Sequence, residues 1–196
     1  MQFSPAGSRA YGGAMFQVRE MNETDIEAVS EIRVRGWRSA YADIVPGAYL
    51  DAMTVESDAE QRRKWFRDPR RRSTDLIAAD AGVPVGWICF GPYRGELPGR
   101  GGAGEIHALY VRPDLTGHGI GRALLTEAHA RMGHQRLRAV ALWVLQDNQR
   151  ARRFYERIGY RADGATQDDV YDDVTLTELR YRLVLPPRHQ GDLALP

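Results

Sequence analysis

Glu105-Ile-His-Ala-Leu-Tyr-Val-Arg-Pro-Asp-Leu-Thr-Gly-His-Gly-Ile-Gly-Arg-Ala123 holds three elements in a row. The β-formers Ile106, Tyr110 and Val111 predict a strand over 105–111. Pro113 stops it, because proline has no N–H for a ladder. Gly117, Gly119 and Gly121 then alternate. After them Ile120, Leu124 and Ala128 recur at i, i+4, i+8, one face of a helix. The order is strand, glycine turn, helix.

Glycine admits positive φ and lets a ligand approach the main chain. Successive N–H groups in such a turn can point into one concavity. The helix behind it adds unpaired N–H groups and a positive dipole end. Together they can seat a pyrophosphate, with Arg122 adding charge; a tight turn that binds nothing is the alternative. A Rossmann dinucleotide site needs Gly-x-Gly-x-x-Gly and an acidic residue about 20 positions on. Here the spacing is Gly-x-Gly-x-Gly and the later region is Ala139-Val140-Ala141, which disfavours a nicotinamide or flavin.

Outward from this stretch, 196 residues suit one domain with a sizeable core. Hydrophobic residues are 43% and charged residues 27%, and the net charge of +1 implies no polyanionic partner. The single cysteine, Cys89, cannot form an internal disulfide and fits a reducing compartment. It lies in the apolar run 85–90 and reads as a small hydrophobe. No apolar stretch reaches membrane-span length and no signal pattern opens the chain, so the cytoplasm is expected.

Residues 1–14 are rich in Gly, Ser and Ala and read as a flexible leader, with Met15 an alternative start. A single domain is expected over 15–186, and Pro186-Pro187 opens a loose tail over 187–196. Phe16 and Val18 suggest a strand, and 22–25 cap a helix to about Ser39, broken before Pro46. Trp37 and Tyr41, at that break, can line an acceptor pocket or simply fill core. Residues 55–68 predict a helix carrying Arg62, Arg63, Lys64 and Arg67, followed by Arg70, Arg71 and Arg72. Such a run can grip nucleic acid, but near-neutral overall charge favours a solvated face. Strands at 76–80 and 85–90 form a hairpin through Ala81-Gly82. Residues 92–104 read as a glycine-rich loop, and 137–145 as a buried strand. Asn148 caps a helix that Gly159 ends. A short strand is expected at 160–162, an acidic loop at 168–173, and a last strand at 176–185. Helices and strands interleave, so an α/β or α+β domain follows.

Two segments carry a resemblance. Leu109-Tyr110-Val111-Arg112-Pro113 followed by Gly117-His118-Gly119-Ile120-Gly121-Arg122-Ala123 resembles the pyrophosphate motif of the GNAT superfamily of acyl-CoA-dependent N-acetyltransferases. Asn148-Gln149-Arg150-Ala151-Arg152-Arg153-Phe154-Tyr155, ending at Gly159-Tyr160, is similar to that family's Asn-x-x-Ala-x-x-Phe-Tyr signature. Each is moderately specific; both in this order are strongly so. Where the family carries Gln or Arg, this chain has Thr116, a hydroxyl without charge; Arg112 or Arg122 can compensate.

The resemblance implies a mixed, mostly antiparallel sheet flanked by helices and acetyl-CoA as cosubstrate. Leu109, Tyr110 and Val111 would bind the pantetheine arm, and Thr116 to Ala123 the pyrophosphate. Asn148 and Ala151 would complete the cofactor site, and a backbone N–H near Leu109 would polarise the thioester carbonyl. Tyr155 resembles the family's general acid and would also border the cofactor; a core-filling aromatic is its alternative. Glu105 is the candidate base, directly or through water, and borders the substrate; His107 is the rival. The implied partner is an amine, small molecule or peptide, in direct ternary-complex transfer. A homodimer is compatible, as among similar proteins. No metal is expected: His129 and His134 do not share a helix face, and the acidic residues 168–173 lack a calcium-loop pattern. Those acidic residues can still attract a cationic amine. A non-catalytic acyl-CoA sensor and a nucleic-acid module are the rival readings.

Overall fold

The structure is a computed structural model and describes residues 16–95 and 102–186. The expected leader and tail lie outside the described residues. Seven strands form one sheet in the order β1-β2-β3-β4-β5-β7-β6. They are β1 (Phe16–Glu20), β2 (Thr74–Asp80), β3 (Val83–Pro92), β4 (Ala103–Val111), β5 (Ala139–Leu145), β6 (Arg161–Tyr171) and β7 (Val174–Val184). Every pairing is antiparallel except β4 with β5. The helices are α1 (Ile26–Ala40), α2 (Gly47–Ala52), α3 (Val55–Arg67), α4 (Ile120–His134) and α5 (Gln149–Ile158). Among the described residues no helix is long and apolar enough to cross a membrane.

The inner strands are apolar at consecutive positions because both sheet faces are covered. On β2, Leu76 and Ala78 join α4, while Ile77 and Ala79 join α1 and α3. On the α4 face, the predicted stripe Ile120, Leu124 and Ala128 is buried against Ile88, Phe90 and Val140. Gly86 lets this helix sit close: a Cβ there would stand 2.7 Å from Ile120 Cγ2. The start of α4 is thereby pinned to the sheet. The β2–β3 hairpin turns through Ala81 and Gly82, both at positive φ (46° and 84°).

Three expectations need correction. Pro46 does not merely break α1: it stands at the N-cap of α2, where its fixed φ is tolerated. The glycine-rich loop is shorter than 92–104, since Pro92 ends β3 and Ala103 opens β4. The acidic loop at 168–173 is mostly strand: Asp168 and Asp169 lie in β6 opposite Thr177 and Leu176. β6 is an exposed edge strand, so it carries no apolar alternation for a sequence reading to find.

His129 of α4 shares a 2.7 Å hydrogen bond with the hydroxyl of buried Tyr160. Burial lowers its pKa to about 4, so the folded protein holds it neutral. An unfolded chain protonates this histidine below about 6.5, so stability present above that pH is lost as pH falls towards 4. His129 should thus cost about 2 kcal/mol of unfolding free energy between pH 7 and pH 5. Urea denaturation at both pH values should show that part of the slope missing in His129→Gln.

Candidate active site

The pairing of β4 with β5 runs only from Ala103 opposite Ala139 to Ile106 opposite Leu142. Past that point β4 continues to Val111 on the β3 side, and β5 continues to Leu145 on the β7 side. The two strands part, and the β5-facing backbone of 107–111 borders a slot. Leu109, Tyr110 and Val111, the predicted cofactor strand, lie along it. Leu109 and Val111 pack on the α4 core, whereas Tyr110 stacks on Trp87 on the opposite face (6.1 Å, 11°).

At the slot's end stands the glycine turn. Pro113–Leu115 form one 3-10 turn. Gly117 (φ 91°) and Gly119 (φ 84°) then take left-handed backbone that costs other residues about 1–2 kcal/mol each. Nothing stands within 4 Å of the Cβ position of Gly117. Gly119 is the N-cap of α4 and provides no side-chain acceptor, so the first N–H groups of the helix are unclaimed by a cap. Ile120 and Ala123 are buried beneath the turn, while His118 and Arg122 are exposed beside it. Gly121 has a different use: a Cβ there would meet Phe154 at 3.3 Å, so it seats α4 against α5.

Thr116 donates to the Pro113 carbonyl (2.9 Å) and accepts from Arg150 Nη2 (2.7 Å). Arg150 therefore brings a guanidinium to the position where Thr116 carries no charge. Arg112, the other residue expected to compensate, forks onto the exposed carboxylate of Asp114 (2.5 and 3.1 Å). Sequence reasoning missed Arg150. Its signal was its place two residues after the cap Asn148, on the turn of α5 that faces the slot.

Asn148, at the end of β5, accepts from the Ala151 N–H (3.0 Å), so the predicted cap is present. Its side chain also reaches Tyr41, whose hydroxyl hydrogen-bonds that of Tyr110. Trp37 stands edge-on to Tyr41 (4.8 Å) and beside Tyr171 of the β6–β7 hairpin (6.0 Å). Both predicted acceptor-side aromatics thus come to the mouth of the parted strands. The indole N–H of Trp37 is buried without an acceptor. Tyr155 packs its ring edge-on to Phe154 and Tyr160 (5.2 and 5.7 Å). Burial raises the Tyr155 pKa well above 10, with a further contribution from Tyr41, so its phenol stays protonated at neutral pH.

Glu105 is 2% exposed. Arg94 holds it through Nη2 (2.6 Å), Nε (3.2 Å) and its backbone N–H (3.0 Å). Burial opposes ionisation, but His107 and Arg94 outweigh it and bring the pKa to about 2. The carboxylate is permanently charged and a weak proton acceptor. His107 Nδ1 is 3.5 Å from Glu105 Oε1. The register steps from Cys89–Ala108 to Phe90–Ile106, which leaves His107 as the extra residue of a β-bulge. Such bulges re-aim side chains. Here His107 and Ala108 both line a cavity of about 580 Å³ between α1, α3 and strands β2–β4. Cys89 lines it too, its thiol pushed up to about 12 by burial.

The basic run around α3 does not form an open patch. Arg62 pairs with Asp58, Arg63 with Glu27, Lys64 with Glu60, Arg67 with Glu23, Arg70 with Asp68 and Arg71 with Asp75. Among the described residues no three His, Cys, Asp or Glu side chains cluster as metal ligands.

Parted strands, a glycine turn capping a helix and an asparagine-capped helix opposite it define an acyltransferase fold. A family model described as the Acetyltransferase (GNAT) family matches residues 34–160, and the chain belongs to that family. It is 30% identical over 156 residues to a probable N-acetyltransferase of Mycobacterium tuberculosis, covering 76% of this chain and 82% of that one. It is 28% identical over 134 residues to an uncharacterized N-acetyltransferase of Bacillus subtilis, covering 68% and 74%. Its fold matches an N-acetyltransferase of Thermoplasma acidophilum solved in complex with coenzyme A (TM-score 0.67, 19% identity, 85% and 97% covered).

Gly119→Val would force a β-branched residue into left-handed backbone at the helix cap. Calorimetric titration should show coenzyme A affinity lost by at least about tenfold. Arg150→Ala should weaken coenzyme A binding in the same assay and make it less sensitive to salt, because a charge contact is removed.

Proposed function

We propose that the protein transfers the acetyl group of acetyl-CoA to a primary amine by direct attack within a ternary complex. The observation that carries this reading is the parting of β4 from β5 with the glycine turn at its end. The residues fit the cosubstrate. The free edge of 107–111 suits an extended amide-bearing arm, and the N–H groups at Gly117–Ile120, with Arg150 and Arg122, suit a pyrophosphate.

In this reading a backbone N–H near Leu109 donates to the thioester carbonyl as negative charge develops there. The amine nitrogen attacks the carbonyl carbon, and the tetrahedral intermediate expels the thiolate as the C–S bond breaks. Tyr155 gives its proton to that sulfur. Its raised pKa ensures that it arrives protonated, and the water-poor site destabilises the thiolate it must serve. The attacking amine must first lose a proton. Glu105 stands 3.5 Å from His107 and supports this step through its fixed charge, with His107 or a bound water as the group that takes the proton. A covalent acyl-enzyme route has no support, since the Cys89 thiol is held protonated.

Thermal unfolding tests the cosubstrate. Acetyl-CoA at 100 times its dissociation constant adds about 2.7 kcal/mol, a rise of roughly 5–10 °C for a domain of this size. No rise at millimolar acetyl-CoA would remove the reading. Tyr155→Phe should lower kcat by about 100-fold and leave acetyl-CoA affinity unchanged. Unchanged turnover across the pH range would exclude Tyr155 as the acid, and binding without turnover of any amine would favour a sensor.

A further inference from the structure

The cavity beside the β4 bulge carries more positive than negative charge, and the excess can be traced residue by residue. Arg33 Nη1 and Arg62 Nη2 both bond the same carboxylate, Asp58 (2.6 and 3.0 Å). Arg62 is 6% exposed by side chain and lies over the Trp87 ring (4.2 Å), so water does little to screen it. One carboxylate thus serves two guanidiniums. The acids in the cavity wall are already taken: Asp75 by Arg71 and the Trp87 indole, Asp68 by Arg70. Arg94 is matched by Glu105. Arg72 also lines the cavity, and among the described residues no carboxylate pairs with it. The wall is left with an excess of two positive charges, one buried and one free.

This excess lies next to the reacting end of β4. A Cβ placed on Gly91 would stand 3.1 Å from His107 Nε2 and 3.2 Å from the Arg72 carbonyl. The Arg72 main chain and the His107 ring therefore meet across Gly91, and both residues line the cavity. Trp87, Phe66 and Ala108 supply apolar wall around the charges.

Arg33 and Arg62 share one carboxylate and Arg72 pairs with none among the described residues, so an anion entering the cavity meets positive charge that the protein does not itself offset. From these observations we infer that the cavity takes the acceptor by an anionic group, a carboxylate or a phosphate, with Arg72 as its counter-charge. This rests on the acyl-transfer reading above and adds a substrate class to it. The acceptor is an amine that also bears an oxyanion, held with the anion towards Arg72 and the amine towards His107.

The test is a panel of amines assayed with protein saturated in acetyl-CoA. It comprises the α-amino acids, their C-terminal amides, phosphoethanolamine and spermidine. Thermal shift in the presence of coenzyme A, which fills the glycine turn, provides a readout apart from turnover. At least one amino acid or phosphoethanolamine should raise the melting temperature and be acetylated. Its uncharged counterpart should be at least about tenfold poorer in kcat/KM. Which of the two classes responds separates carboxylate from phosphate. Arg72→Ala should raise KM for the anionic acceptor about tenfold or more and leave the acetyl-CoA dissociation constant unchanged. Arg72→Lys should recover part of the loss. Arg72 is exposed and outside any ion pair, so both variants should fold. Preference for amides or spermidine, no response to any anionic amine, or an Arg72→Ala enzyme with unchanged KM would each overturn the inference. Failure to bind acetyl-CoA would instead strike the acyl-transfer reading itself.

Discussion

Beyond Ile106 and Leu142 two neighbouring strands in the middle of a sheet stop sharing hydrogen bonds. Interior backbone N–H and C=O groups cannot be left without partners at little cost. The fold tolerates the opening because each strand is held from its far side, β4 by β3 and β5 by β7. The open edges then ask for an extended, amide-bearing ligand. The rest of the site is arranged along this opening: the glycine turn at one end, the Asn148 cap opposite, and the tyrosine cluster at the mouth.

Charge is distributed along the site by burial rather than by number. The chain is nearly neutral, and 12 of the described arginines pair with carboxylates, yet the two ends of the slot are electropositive for different reasons. At the turn, left-handed glycines expose N–H groups and Arg150 stands over Thr116. At the bulge, Arg33 and Arg62 compete for Asp58, while among the described residues no carboxylate pairs with Arg72. Glu105 keeps its charge in the middle because His107 and Arg94 together outweigh its burial. An enclosed carboxylate so clamped acts through its field, not as an exchangeable proton site.

Local periodicity and caps made much of the fold readable from sequence. The 117–128 turn and helix, the Asn148 and Gly159 caps and the 139–145 strand all follow from neighbours within a few positions. What stayed hidden depends on distant partners. α2 begins at a proline that local rules read as a stop. β6 is polar on both faces and becomes a strand only by pairing with β7. The basic run looked like a surface patch because Glu23, Glu27 and Asp75 are supplied by other elements. Glu105 stood out as a carboxylate, but its clamp lies across a loop at Arg94. The Thr116–Arg150 contact joins residues 34 apart that no spacing rule connects.

The short parallel seam between β4 and β5 also has a mechanical side. It joins one plate, β1 to β4 with α1, α3 and α4, to another, β5 to β7 with α5. Within the sheet, the pairs from Ala103–Ala139 to Ile106–Leu142 and the bond from the Arg138 N–H to the Gly102 carbonyl join the two plates. Where those pairs end, α4 carries the connection, since Phe90 of one plate and Val140 and Leu142 of the other pack in the same core beneath it. A ligand whose amides met both open edges would add a second tie between the plates, as a splint does. The gap in the sheet is in this sense a joint left open for a ligand to close.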